Sequence, residues 1–215
     1  MKSISIEDYI KRIYNLEGIF GFASTSQIAK SINVSDASAN EMINKLYKIK
    51  FVKYTPHKGV TLTQKGKQIA LKIMRRHRLW EMFLVKFLNY SWDEIHEEAE
   101  ILEHATSDKL EKKLDEILNF PKFDPHGDPI PKNGKIEKLN CISLSDSPKK
   151  LKSEIIRVSD ESKEILQYLK KIGLQLNSKI EIVDKISFDG SVLIKSNKKI
   201  IPISKQISNC IFLKY

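Results

Sequence analysis

The chain has 215 residues, of which 41% are hydrophobic, so it has enough apolar material for a substantial core and is not a disordered protein. It has no apolar run of the roughly 18 residues that a membrane span needs, no signal-peptide pattern, and two cysteines, Cys141 and Cys210. We therefore expect a cytoplasmic protein with reduced thiols and no membrane partner. The formal net charge of +10 is segregated, because residues 1–76 carry +9, residues 77–119 carry −6 and residues 120–215 carry +7. This order favours a basic nucleic-acid-binding segment followed by an acidic one that is suited to metal.

Residues 1–72 have the pattern of a winged helix-turn-helix domain. Apolar residues recur at helical spacing between Ile6 and Leu16, and serines then suit the starts of two short helices on either side of the turn Asn33-Val34-Ser35. Two β-prone runs, 51–54 and 60–63, form the predicted wing. The second short helix, about residues 36–49, is expected to enter the major groove of double-stranded DNA. The residues expected at the DNA are Ser35, Asp36, Ala37, Ser38, Asn40, Glu41, Asn44, Lys45 and Lys48 of this helix, and His57 and Lys58 of the wing.

Residues 73–135 form a predicted helical domain for metal binding and dimerisation. Helical patterns cover residues 66–89, 91–106 and 107–119, and Ser91 suits the start of the second of these helices. A homodimer is expected, and its two-fold symmetry predicts a palindromic operator. The apolar positions left over for the dimer interface include Ile101, Leu110, Leu114 and Ile117.

The prolines and glycines after Phe120 end the helical pattern, and residues 136–150 are predicted to be a linker. Residues 151–215 alternate short β-prone runs with a helix over residues 161–172 and a hairpin turn at Asp189-Gly190. This order predicts a small SH3-like barrel. The expected fold is therefore mostly α with small β components.

Histidines and carboxylates recur at helical spacing in the acidic segment. His77 and Glu81 are four residues apart, and the next helix places His96, Glu100, Glu103 and His104 on one face. Imidazole and carboxylate groups without a thiolate suit Mn, Fe, Co or Zn better than Cu(I). An ordinary solvated helix face has the same composition, so the stripe alone leaves both interpretations open.

The run from Ile73 to Glu81, followed by His96-Glu97-Glu98-Ala99-Glu100 and Glu103-His104, resembles the metal-binding core of the diphtheria toxin repressor family and its manganese-responsive relatives. Residues 7–10, the winged helix, the segment 127–131 and the SH3-like tail extend the resemblance over nearly the whole chain. The resemblance implies a metal-dependent repressor of metal homeostasis that binds palindromic operator DNA as a homodimer. It also implies neither an enzymatic activity nor a small organic substrate.

The resemblance implies two sets of ligands. Iron-responsive members have Met at the Asp8 position and Cys at the Glu100 position, so the two carboxylates here favour Mn(II), with Fe(II) as the alternative. Short manganese-only members often carry a further acid at the Lys11 position and lack the tail. A longer manganese-responsive subgroup has Cys-Pro-His where this chain has Asp124-Pro125-His126, for which a surface turn is the alternative. The implied metal ligands are Asp8, His77, Glu81, His96, Glu100, Glu103 and His104 in the first set, and Asp124, His126 and Asp160, together with Glu81, in the second.

Three other functions fit parts of the pattern. A winged-helix regulator without metal control would bind DNA equally well with and without chelator. A metallohydrolase would use His77 with Glu81 and His96 with Glu100, but the sequence supplies neither a nucleophile nor a Gly-rich substrate loop. An RNA-binding or ribosome-associated basic protein would be indifferent to DNA sequence.

Overall fold

Two units make up the part of the chain that the computed structural model describes, residues 6–55, 58–160 and 162–215. Unit 1 contains the residues up to His77, together with Glu103–Ala105 and Pro131–Ile136. Unit 2 contains Arg78–Leu102, Thr106–Ile130 and the residues from Glu137 onwards. The division falls inside two helices, α4 (Gln64–Leu88) and α5 (Ile95–Ala105).

Unit 1 begins with three helices and a hairpin. These elements are α1 (Ile6–Phe20), α2 (Thr25–Ser31), α3 (Asp36–Lys48), β1 (Val52–Thr55) and β2 (Gly59–Leu62), and α4 follows them. Ser24 caps α2 in a capping box with Gln27, and Ser35 caps α3 by accepting a hydrogen bond from the Ser38 amide. The two strands pair antiparallel, with Val52 opposite Leu62. The predicted winged helix-turn-helix is therefore confirmed.

One core holds the elements of unit 1 together. Ile10 and Ile13 of α1, Ile28 of α2, and Ile43 and Leu46 of α3 are all buried in it. Full burial of an aliphatic side chain of this size contributes about 1.5–3 kcal/mol, so a few such residues dominate the packing of this small unit. Helix α1 continues through Gly18 to Phe20, beyond the predicted end, and turns only at Gly21, whose φ is +78°.

The helical part of unit 2 contains the rest of α4, the first turns of α5, and α6 (Asp108–Ile117), which Ser107 caps. The sequence placed the start of α5 at Ser91, which is wrong, because α5 begins at Ile95. Ser91 is instead the first residue of a separate turn, in which its carbonyl accepts a hydrogen bond from the Glu94 amide at 2.9 Å. Leu84, Ile95 and Ala99 form a small core where α4 meets α5.

The remainder of unit 2 is a six-stranded antiparallel sheet with two helices. Its strands are β3 (Cys141–Ser143), β4 (Lys152–Val158), β5 (Lys179–Lys185), β6 (Val192–Ser196), β7 (Lys199–Ile203) and β8 (Ile211–Lys214), in the order β3-β8-β4-β5-β6-β7, and its helices are α7 (Lys163–Lys171) and α8 (Lys205–Ser208). Ile155, Ile182, Ile194 and Leu213 point into its core. The predicted SH3-like β domain at the end of the chain is confirmed.

The sequence missed two strands of this sheet. β3 lies inside the range predicted to be a linker and pairs with β8, with Ile142 opposite Leu213. β7 contains Pro202, which argues against a central strand, but β7 lies at the edge of the sheet, where proline is tolerated. The predicted domain boundaries as a whole stay a prediction.

Candidate metal centres

Glu103 is the centre of a buried polar cluster in unit 1. Its side chain is 0% exposed, and its two oxygens have cationic or imidazole partners. Lys11 Nζ, from α1, lies 2.7 Å from Oε1 and 3.0 Å from Oε2, while His77 Nδ1, from α4, lies 2.5 Å from Oε2. A carboxylate without water needs such partners, because an uncompensated buried charge is strongly unfavourable.

His104, the next residue of α5, completes this cluster. Its Nδ1 lies 2.7 Å from Glu7 Oε2, and its Nε2 lies 2.7 Å from Asp8 Oδ1 and 3.5 Å from Glu103 Oε1. Burial lowers the pKa of His104, but the hydrogen bond to Glu7 and the charges of the three carboxylates outweigh burial and raise that pKa. A carboxylate at each ring nitrogen favours the protonated imidazole, which donates from both nitrogens. Asp8, Glu103 and His104 offer ligand atoms within 4.8 Å of one another.

Unit 2 contains a second cluster, made by Glu81, Asp124 and His126. All three side chains are buried, and their ligand atoms also lie within 4.8 Å of one another. Burial, and then the negative charges of Glu81 and Asp128, raise the pKa of Asp124 well above its usual range, although Arg78 Nε lies only 3.3 Å from Asp124 Oδ2. A divalent cation would stabilise two carboxylates that are buried this close to each other.

The imidazole of His126 is oriented as a ligand. Its Nε2 donates a hydrogen bond to the backbone oxygen of Trp92 at 2.8 Å, which leaves the lone pair on Nδ1. That Nδ1 is buried, lies 3.9 Å from Glu81 Oε1, and makes no hydrogen bond within residues 6–55, 58–160 and 162–215. Histidine ligands are typically fixed in this way, with the second ring nitrogen held by a carbonyl or carboxylate. The donor set therefore fits a divalent cation.

A tight turn holds Asp124 and His126 in place. Asp124 Oδ1 accepts hydrogen bonds from the amides of His126 and Asp128, both at 2.9 Å, and the Val158 amide of β4 donates to the His126 oxygen at 2.9 Å. Gly127 has a φ of +88°, and an added Cβ would lie 2.9 Å from Arg157 Cα and overlap the backbone oxygen of Ile156. The turn is buried against β4, so the alternative of a surface turn is wrong.

His96 joins a third group in unit 2, on the more exposed side of Glu81. Its ring nitrogens lie 3.7 Å from Glu81, 3.8 Å from Asp160 and 3.6 Å from Glu100. His77 precedes Glu81 by one turn of α4, as the spacing predicted. Glu100 precedes His104 by one turn of α5, and its place in the cluster of Asp8 stays a prediction.

Several polar residues of these clusters were missed by the sequence analysis. Arg78 donates to the Pro129 oxygen at 2.6 Å and contacts Asp124, while Arg157 Nε donates to Asp128 at 2.9 Å. Glu7 was noticed as part of a motif but not as the partner of His104. The position of Glu7 next to Asp8 was the sequence signal that could have indicated its contact with His104. No sequence pattern indicated the contacts of Arg157.

Known domain families match three successive parts of the chain. Residues 1–60 match the N-terminal DNA binding domain of the iron dependent repressors, residues 63–132 match their metal binding and dimerisation domain, and residues 142–215 match the FeoA domain. The HTH-type transcriptional regulator MntR of Oceanobacillus iheyensis is 35% identical over 124 residues, which are 58% of this chain and 84% of that protein. The chain belongs to the iron-dependent repressor family.

Two further known proteins are similar to the chain over different lengths. The iron-dependent repressor IdeR of Mycobacterium tuberculosis is 32% identical over 125 residues, or 58% of this chain, and the alignment spans only 54% of IdeR. A solved structure of a manganese-dependent transcriptional repressor in complex with manganese has a TM-score of 0.89 and 34% identity, and the match covers 98% of this chain and 99% of that one. These relatives are named as regulators or repressors, which favours a regulator over a metallohydrolase.

In this member of the iron-dependent repressor family, the predicted DNA-contacting surface lies on α3. Every residue predicted there is exposed, whereas Ala39, Ile43 and Leu46 on the opposite face are buried. Ser35 and Ser38 contact each other through their hydroxyl oxygens at 2.9 Å, so these two serines also serve the helix start. Lys58 is exposed at the wing, and His57 lies outside the described residues. The DNA contacts themselves stay a prediction.

The helical part of unit 2 exposes three of the four apolar residues predicted for a dimer interface. Ile101, Leu110 and Ile117 are 49%, 40% and 55% exposed. The inclusion of Leu114 is wrong, because it is only 4% exposed and already packs within its own chain. Among the described residues, no helix is both long and apolar enough to cross a membrane.

Proposed function

We propose that this chain is a transcriptional repressor that binds palindromic operator DNA as a homodimer when it holds a divalent metal ion. Mn(II) is the proposed preferred ion. The observation that carries the proposal is the Nδ1 atom of His126. It is buried, makes no hydrogen bond within the described ranges, and faces the Glu81 carboxylate at 3.9 Å in the cluster that includes Asp124. The fold brings an imidazole lone pair and two carboxylates together in a buried site, and the free-energy cost of burying them is offset when a cation binds between them.

The proposed preference for Mn(II) follows from the donor atoms. Each cluster offers carboxylate oxygen and imidazole nitrogen, and the two cysteines, Cys141 and Cys210, belong to none of the clusters. Hard oxygen ligands without thiolate favour Mn(II) over softer ions. Fe(II) is the second candidate, and it is supported by the similarity to IdeR, which is named an iron-dependent repressor.

The residues of unit 1 suggest how metal binding reaches the DNA. Asp8 on α1, with Glu103 and His104 on α5, would hold the ion, and the ion would supply positive charge between carboxylates that otherwise repel one another. Ile10 and Ile13 of α1 share a core with Ile43 of the recognition helix α3. Fixing α1 against the end of α5 therefore also restricts α3. A ligand shifts an equilibrium only through such differential affinity for one arrangement.

The proposal is tested by combining metal analysis with DNA binding. Labelled promoter DNA is titrated with the full chain in chelator and at fixed Mn(II), Zn(II) or, anaerobically, Fe(II). We expect tight binding only with metal, and Mn(II) more effective than Zn(II). Asn44→Ala should reduce DNA binding and keep Mn(II) binding, whereas His126→Ala should reduce Mn(II) binding and, with it, the metal-dependent DNA binding. Undiminished binding to the promoter in chelator would exclude metal control.

A further inference from the structure

The aliphatic ammonium group of Lys11 directly contacts a carboxylate of the unit 1 cluster. Its Nζ lies 2.7 Å and 3.0 Å from the two oxygens of Glu103, and the side chains of Lys11 and Glu103 are 13% and 0% exposed. This is not a surface ion pair that exchanges freely with solvent, because both partners are withdrawn from water.

The ammonium group contacts the same Glu103 oxygens that would ligate a metal ion in this cluster. Both oxygens of Glu103 face Lys11, and Oε2 also faces His77, so an ion bound to either oxygen shares that oxygen with a positive charge. Like charges repel strongly at short range in a site with little water. A lysine, unlike a carboxylate at the same position of α1, adds no ligand to offset this repulsion.

We propose that the Lys11 ammonium group is a built-in competitor of the metal ion at Glu103, and that it sets the metal concentration at which the cluster of Asp8, Glu103 and His104 fills. The inference rests on the proposed function, because it assumes that this cluster binds a divalent ion. The ammonium compensates the buried carboxylate when no ion is present, so the cluster is stable without metal. A metal ion has to displace the Lys11 ammonium group or bind beside it, so the cluster fills at a higher metal concentration than it would without this charge.

The alternative role for Lys11 gives the opposite result. If Lys11 mainly orients Glu103 as a ligand, its removal weakens metal binding. If it competes with the ion, its removal strengthens metal binding. Lys11→Met separates the two roles, because methionine keeps the length and apolar character of the side chain, loses the charge, and is a poor ligand for a hard ion.

The experiment measures Mn(II) binding to the full chain without DNA, by titration followed through the EPR signal of free aqueous Mn(II). For Lys11→Met we expect the half-saturating Mn(II) concentration of this cluster to fall about tenfold, equivalent to about 1.4 kcal/mol. Lys11→Arg, which keeps the charge, and Lys53→Met, a change at an exposed lysine of β1, should stay within about twofold of the parent chain. Circular dichroism checks folding, and Lys11→Gln replaces Lys11→Met if that variant is unfolded.

The same titration in a His104→Ala background assigns the effect. There the gain from Lys11→Met should disappear, because the cluster has lost its imidazole ligand. If Lys11→Met leaves the Mn(II) affinity unchanged or lowers it, while His104→Ala removes one class of Mn(II) sites, then Lys11 does not compete with the ion. The proposed function is unaffected by that result. If His104→Ala has the isotherm of the parent chain, this cluster binds no ion, and both the competitor and the metal-bridging step of the proposed function are overturned.

Discussion

Gly127→Ala tests whether the turn that carries Asp124 and His126 is built as described. Gly127 has a φ of +88°, a backbone conformation that costs an L-residue about 1–2 kcal/mol. The new Cβ would also lie 2.9 Å from Arg157 Cα and overlap the Ile156 oxygen. Both are backbone atoms of β4 that cannot rotate away, and forced overpacking of this kind adds about 1–3 kcal/mol. The expected loss of stability is therefore about 2–5 kcal/mol.

A matched control isolates the steric part of this cost. Gly173 also has a positive φ, of +74°, but a Cβ added there meets nothing within 4 Å. Gly173→Ala should cost only the backbone term, about 1–2 kcal/mol. The chain's two tryptophans, Trp80 and Trp92, both lie in unit 2, so urea unfolding of metal-free protein followed by tryptophan fluorescence reports on the unit that contains both glycines.

Metal binding supplies the second measurement. Gly127→Ala should lower the affinity of the Glu81, Asp124 and His126 cluster for Mn(II), because the turn must move away from β4, whereas Gly173→Ala should leave that affinity unchanged. Equal losses of stability in the two variants, with equal Mn(II) affinity, would mean that the turn does not pack against β4. The orientation of His126 would then have to be explained in another way.

Three further predictions concern the other residues of the clusters and the exposed helix surface. His104→Ala should abolish metal activation in promoter-binding assays, while the free energy of unfolding of the metal-free chain, measured by thermal unfolding, changes by less than about 1 kcal/mol. Glu103→Ala should lower that free energy by about 3–5 kcal/mol, because Lys11 and His77 stay buried but lose the carboxylate that they contact. Asp124→Cys should shift the ratio of half-saturating Zn(II) to Mn(II) in favour of Zn(II), since a thiolate is the softer ligand, and an unchanged ratio would place Asp124 outside the metal site. Ile117→Glu should lower the mass measured by sedimentation without unfolding the chain, because this exposed apolar side chain is proposed to lie in the dimer interface; an unchanged dimer would remove it from that interface.

The helices of unit 1 could be predicted because their signals are local. Serine caps, the turn at Asn33 and the spacing of Ile10, Ile13 and Ile43 each act within a few residues, and the structure follows them. The helical spacing of His77 with Glu81 is equally local. Asp8 was expected at a metal site only through family resemblance, because no local pattern relates α1 to α5.

The features that the sequence analysis missed depend on partners that are distant in the chain. β3 is a three-residue strand that is defined by its pairing with β8, about seventy residues later, and not by its own composition. Lys11 looked like a solvated lysine because only the fold brings Glu103 to it, 92 residues away. Leu114 was counted as spare apolar surface for the same reason, since the contacts that bury it are tertiary.

Unit 1 is assembled from three separate ranges of the chain, and this limits which fragments of the protein can be studied alone. A fragment that ends near residue 72, where the sequence suggests the end of the DNA-binding domain, would keep α1 to α3 and the hairpin but omit Glu103–Ala105 and Pro131–Ile136. It would lose the carboxylate that Lys11 contacts and the imidazole that Glu7 and Asp8 contact. DNA affinities measured on such a fragment would describe a domain whose first helix has lost its contacts with Glu103 and His104, so studies of DNA recognition by this chain need the intact polypeptide.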